Sequence, residues 1–511
     1  MKKISLSLVV AFLFLNSCNN LDLVPLDKLT ADNFYKTRSE FDGAIFAAYS
    51  SIQDFWGTST ETLGENGEYW KISVVTSDDV VADQEAGTDD ISRDADNLII
   101  RSSDKPFAAV YTQIYEGILR ANLVIENLNN PNTLSDDEKK LLDGEAKFLR
   151  AFFHFEAMKL WGTPPLAMKV PRDLNNLALP NATQEQLYTQ ILADLSDAYN
   201  ALPVSWDDAN KGRATKYAAQ AYIGKVNVWK KDWTTAITAF EDVIANGSFA
   251  LINTGNPVKD LEDVFAYNNE NNQEAIFEVQ YGGPFSDDNV WVFDDTHSEA
   301  FKASQGTTRS WYWDAGNGAP GGKLGWWAPS TELVNSFEPN DARLSVYVYK
   351  AGDTYYTTTF TPVPYNPEWS VTGFTMKKYG GARNMVPADN SPNQQANFNN
   401  ERLYRFAELK LLYAEALIAQ GRTADATQQI NDIRNRAGLP TLTAGVDLTE
   451  ALRHEKRVEL AFEPHRWFDI VRWGIGPQVF GNKWQERYNV YPFPQTEIDR
   501  TGGTLKQNPG Y

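Results

Sequence analysis

Trp291, Trp311, Tyr312, Trp313, Trp326 and Trp327 crowd one short, Gly-rich stretch of a chain that contains 15 tryptophans in all. No single helical or strand face accounts for such a group. Flat aromatic side chains with a polar edge stack on the C–H faces of sugar rings, while neighbouring carboxylates and amides bond the hydroxyls. On a strand, residues two apart point the same way and adjacent residues point to opposite faces. Trp311 and Trp313 are therefore expected to form one platform, with Trp291 and Trp326 as further stacking residues. Tyr312, Trp327 and Trp70 are weaker candidates, and Arg309, Asp78 and Asp79 are the expected polar partners.

Two other constellations invite a chemical reading. Acidic pairs stand at Asp78-Asp79, Asp89-Asp90, Asp287-Asp288 and Asp294-Asp295. A glycosidase needs two carboxylates about 5–10 Å apart, and a chain with 67 acidic residues has neighbouring pairs by chance. No catalytic residue is assigned. Clustered Asp and Asn oxygens suit calcium, but the EF-hand spacing is missing, so a structural calcium is the one cofactor left open. The second constellation runs from Arg453 to Arg472 through His454, Glu455, Arg457, Glu459, Glu463, His465, Arg466 and Asp469. Its histidines are not in the His-Glu-x-x-His pattern of a zinc protease, and apolar Val458, Leu460, Ala461, Phe462 and Phe468 interleave with the charges. A structural ion-pair network is expected there.

The elements that position these residues are mainly helical. Ala218–Ala245 carries small or apolar residues at Ile223, Gly224, Ala236, Ile237 and Phe240 around a break at Lys230–Trp233, which predicts two closely packed helices of a tetratricopeptide-like unit. The spacing recurs at Ala414, Ala426 and Ile430, so the two units have to meet across an insertion. Further helices are expected over Phe107–Leu128 and Asp137–Trp161. Trp161, Trp229, Trp233, Trp467 and Trp473 fall on helical patterns or their turns and read as core. The insertion, about 251–400, is rich in Gly, Pro, Asn, Thr and aromatics and predicts loops with short strands, among them Glu274–Tyr281 and Leu344–Tyr349. Lys71–Val75 reads as strand-like, and Asp83–Pro106 as a polar loop.

Composition narrows the function further. With 47 Lys+Arg against 67 Asp+Glu the net charge is −20, which opposes nucleic acid and acidic glycans and favours a neutral saccharide. The single cysteine excludes an internal disulfide and any multi-cysteine metal site. It stands at Cys18, after basic Lys2 and Lys3 and an apolar run Ile4–Leu15 too short to span a bilayer. This reads as an export signal over 1–17. Leu15-Asn16-Ser17-Cys18 resembles the lipobox of bacterial lipoproteins, which implies a lipid anchor on Cys18.

Cys18 followed by Leu21-Asp22-Leu23-Val24-Pro25 and Phe34-Tyr35-Lys36-Thr37 looks like the start of a SusD/RagB-family protein. Tyr413-Ala414-Glu415-Ala416, Asn431-Asp432-Ile433-Arg434, Arg466-Trp467-Phe468-Asp469 and the ending Asn508-Pro509-Gly510-Tyr511 are similar to that family in the same order along the chain. The resemblance implies a mainly α, tetratricopeptide-based fold in one domain over 18–511. Its helical frame would cover about 26–250 and 401–475, followed by a family tail over 476–511. It also implies a non-enzymatic surface lipoprotein of the outer membrane that captures a glycan for a SusC-like TonB-dependent transporter. Some members of the family carry peptides or other cargo, and a glycoside hydrolase is the remaining alternative.

Overall fold

The computed structural model describes residues 34–56, 68–84, 90–173, 177–281, 312–316, 318–320, 324–356, 361–379 and 399–511. Eleven helices are used below: α1 (Arg38–Trp56), α2 (Asp90–Asp96), α3 (Lys105–Asn127), α4 (Asp136–Trp161), α5 (Gln184–Ala201), α6 (Lys216–Lys230), α7 (Trp233–Asn246), α8 (Phe406–Ala419), α9 (Thr423–Arg436), α10 (Leu448–Glu459) and α11 (Arg466–Trp473). Antiparallel ladders pair β1 (Val80–Ala82) with β3 (Trp327–Pro329), β2 (Ala275–Val279) with β8 (Glu401–Arg405), β4 (Val348–Tyr349) with β7 (Thr375–Met376), and β5 (Thr354–Tyr356) with β6 (Pro362–Pro364).

The long helices start where the sequence supplies caps. Ser135 and Glu138 form a reciprocal capping box at the head of α4, and Thr183 and Gln186 do the same for α5. Between α6 and α7, Lys231 adopts a left-handed φ of 62°, and the Asp232 side chain accepts from the Thr235 amide to begin the next helix. Gly224 is what lets these helices approach. A Cβ there would sit 2.3 Å from the Phe240 ring. Ala414, Ala426 and Ile430 are fully buried between α8 and α9, as their spacing predicts.

The two helical units do meet. Tyr413 packs on Phe240 at 6.1 Å and donates to Glu241 at 2.9 Å, and Lys225 pairs with Glu408 at 3.0 Å in the interior. The intervening segment leaves and re-enters the frame through one ladder, Ala275 opposite Arg405 and Val279 opposite Glu401. Both strands therefore enter the same core as the helices, with Phe277 packing on Phe148 at 5.0 Å. Trp161 and Trp467 are buried as expected, whereas Trp229, Trp233 and Trp473 are only half-buried. Among the described residues no helix is long and apolar enough to cross a membrane.

Three local expectations are corrected. Lys71–Val75 is a buried π-helical turn and not a strand. Ser73 and Thr76 hydroxyls donate to the carbonyls four residues back, of Tyr69 and Ile72, and this tertiary setting overrides the β-branched composition. Leu344–Tyr347 belongs to a short helix, Ala342–Tyr347, whose N-cap Asp341 accepts from the Arg343 amide at 2.9 Å; only Val348 and Tyr349 are strand. Within the polar stretch after Asp83, α2 forms and α3 has begun by Lys105.

Candidate functional site

The β1–β3 ladder sets Ala82 opposite Trp327, and one more hydrogen bond, from the Asp83 amide to the Trp326 carbonyl at 2.8 Å, extends it. Adjacent residues of an extended chain diverge. Trp327 turns inward: it is 1% exposed, donates from Nε1 to the Ser92 hydroxyl of α2 at 2.9 Å, and stacks on Tyr312 at 4.6 Å. Trp326 is half-buried, its ring tilted against Tyr312 at 5.7 Å. It is the expected stacking residue that the described structure leaves with accessible aromatic surface.

Its aromatic neighbours correct the platform expectation. Trp313 is 1% exposed and wedged edge-on between Trp327 at 5.5 Å and Phe462 at 5.7 Å. Tyr312 and Trp313 lie in a helical turn, so strand alternation does not apply to them. Tyr312, Trp313 and Trp327 pack the base beneath Trp326 and offer no face to a sugar. Trp70 is buried as well, one residue before the π-helical turn. Trp291, Trp311, Arg309 and Cys18 lie outside the described residues.

Asp78 and Asp79 also have another role than the one expected. Arg466 grips both oxygens of Asp78 at 2.7 and 2.8 Å, and Arg457 reaches Asp78 at 2.9 Å and Asp79 at 2.7 Å. Burial pushes the Asp78 carboxyl up, but Arg466 and Arg457 outweigh it and hold it below the usual carboxylate range. The Ser330 hydroxyl and amide bond the carbonyls of Asp78 and Asp79. The two aspartates thus tie the β1–β3 ladder to α10 and α11, which fixes the backbone from which Trp326 projects.

Polar groups that the sequence reading passed over lie beside this ladder. Asp96 accepts from the Ala82 amide at 3.3 Å and from Gln84 at 3.2 Å, and exposed Asn97 donates to Gln84 at 3.3 Å. Burial pushes the Asp96 carboxyl up to about 6. These residues sit in a stretch with no motif and little apolar periodicity, and only the fold of α2 back onto β1 brings them to the edge of this ladder. The Arg453–Arg472 charges form the interior network expected of them. Arg405 bonds Glu459 at 2.6 Å and Glu463 at 2.7 Å, Arg343 bonds Glu455 at 2.5 Å, and Lys378 bonds Glu463 at 2.7 Å, all buried.

Two family models match the chain: the SusD family over residues 262–489, and a family described as starch-binding, associating with the outer membrane, over residues 51–228. SusD-like protein P2 of Formosa agariphila is 26% identical over the whole of both chains. A SusD-like protein of Bacteroides fragilis superposes with a TM-score of 0.76 at 25% identity, covering 95% of this chain and 100% of its own. The surface glycan-binding protein A of Bacteroides thetaiotaomicron, in complex with laminarihexaose, superposes at 0.74 with 24% identity over 93% of this chain and 100% of its own. With matches in both halves and relatives aligned from end to end, the chain belongs to the SusD family.

Proposed function

We propose that this protein is a cell-surface glycan-binding lipoprotein. It is anchored in the outer membrane through a lipidated Cys18, holds a neutral poly- or oligosaccharide against aromatic side chains, and delivers it to a SusC-like TonB-dependent transporter. The observation that carries the reading is Trp326, a half-buried indole on a backbone pinned by two ion-paired aspartates, on a ladder past whose β1 end Gln84 meets Asn97, the residue after α2. An indole held in place loses little entropy when a sugar ring stacks on it. The laminarihexaose bound by a relative supports a glycan as the ligand class, and the net charge of −20 favours an uncharged one.

Binding without cleavage is part of the proposal. Hydrolysis takes one carboxyl that gives a proton and a second that attacks or activates water, and Asp78 and Asp79 are both engaged by arginines. The test is binding of soluble protein, begun after Cys18, to a panel of neutral and acidic polysaccharides, with an assay for new reducing ends. Binding to a neutral glycan with no new reducing ends is expected. Preference for an acidic glycan, or release of reducing ends, overturns the corresponding part of the reading.

A further inference from the structure

Phe46 on α1 is 50% exposed, yet it is not left loose. The guanidinium of Arg213 lies 5.2 Å from its ring centre, and the same guanidinium lies 4.5 Å from that of Trp206. Arg213 is fixed in turn: it bonds buried Glu145 at 2.8 and 2.5 Å and Asn210 at 2.9 Å, while the Trp206 indole donates to the Ala214 carbonyl at 2.8 Å. Phe46 is therefore the outer plate of a stack whose inner members cannot move. A rigidly backed, solvent-facing aromatic ring offers a ligand a stacking surface that need not be ordered on binding.

Phe46 also walls a cavity of about 420 Å³, within the usual size of a ligand pocket. The cavity lies between α1, the turn at residues 211–213 and the end of β2. Gly212, with φ of 96°, presses on Gln280 so closely that a Cβ would sit 2.4 Å from that side chain. The Gln53 amide donates to the Gln280 carbonyl at 2.5 Å. Among the described residues, Gln53 Oε1, the Ser50 hydroxyl and the Lys211 ammonium have no hydrogen-bond partner, and all three residues line the cavity.

An aromatic plate with unfilled donors and an acceptor around it matches a sugar ring, whose C–H face stacks while its hydroxyls both give and accept hydrogen bonds. A fatty chain would leave those polar groups unmet. Among the described residues a phosphate would find one free cation here, because Arg213 is already paired with Glu145 and Asp42. We propose that this cavity is a second sugar-binding pocket, with Phe46 as the stacking plate and Lys211, Ser50 and Gln53 as hydroxyl partners. It shares no residue with the Trp326 face. The ligand class rests on the glycan reading above, and the place rests on the Phe46 cavity.

The experiment measures acylation of the Lys211 amine by mass spectrometry, with and without laminarihexaose, maltohexaose or chitohexaose, alongside calorimetric binding. It uses the soluble protein and its Phe46→Ala, Gln53→Ala and Trp326→Ala variants, each checked by thermal melting. A bound hexasaccharide is expected to shield Lys211 in the parent protein and in Trp326→Ala. Phe46→Ala should raise the concentration needed for shielding about tenfold or more, by analogy with bases stacked on aromatic side chains, and Gln53→Ala should raise it less. Calorimetric binding abolished by Trp326→Ala, with Lys211 equally reactive throughout, overturns the second pocket and leaves the glycan reading standing. Binding of none of the three sugars overturns the pocket as proposed, and binding of nothing in the polysaccharide panel overturns the glycan reading as well.

Discussion

At the residue scale, Trp313 and Trp326 differ in what the fold asks of each. Trp313 is packed on Trp327 and Phe462 inside the core, so Trp313→Ala leaves a cavity and should cost about 3–5 kcal/mol of stability. Chemical denaturation of that variant is the check, and an unchanged midpoint would show that Trp313 is not core. Asp96 adds a pH dependence. Its folded pKa, about 6, lies above the ordinary carboxylate value, so the folded state holds this proton more tightly than the unfolded chain does. The stability this supplies is full below about pH 4 and is lost as pH rises through about 6. Asp96→Asn should therefore raise the melting temperature more at pH 8 than at pH 4.5, and an equal shift at both would contradict the assignment.

At the scale of elements, the helical hairpins were legible because Gly224, Ala236 and Phe240 state a close approach in their sizes alone. The same patterns said nothing about which side of a short strand faces inward. Trp326 and Trp327 were expected to point opposite ways. Which of them is buried depends on α2, whose Ser92 accepts from Trp327 across a long sequence separation. The roles of Asp78 and Asp79 were equally hidden, since Arg457 and Arg466 come from helices at the other end of the chain. The charge run from Arg453 was legible as a network because apolar residues alternate with its charges. Burial alone would raise the pKa of Glu459, but Arg436, Arg405 and Arg343 outweigh it and hold the carboxylate well below its usual range. The stability it supplies is complete above the ordinary glutamate pKa and is lost as pH falls toward the folded value. Glu459→Gln leaves buried arginines short of a partner and should destabilise by about 3–5 kcal/mol near neutral pH, with a shallower loss on acidification than the parent. Urea titrations at pH 7 and pH 3.5 measure both.

At the scale of the molecule, the family follows from the whole chain: motifs in order from Leu21 to Tyr511, a matched helical frame, and relatives that align from end to end. Anchoring is a separate claim that rests on Cys18. In the native host, Cys18→Ser should move the protein out of the membrane fraction and remove its acyl label, while glycan binding by the purified protein stays the same. Retention in the outer membrane without label would contradict a lipid anchor.

The central claim is that a neutral glycan is held on aromatic surface at the β1–β3 ladder. Calorimetric affinity of the soluble protein for the neutral glycan it prefers, measured beside Trp326→Ala at matched stability, tests it most directly. Stacking on one aromatic side chain is worth roughly 1–3 kcal/mol by analogy with bases, so the account predicts a loss of about tenfold or more with an unchanged melting temperature. Equal affinity in the two proteins would contradict it.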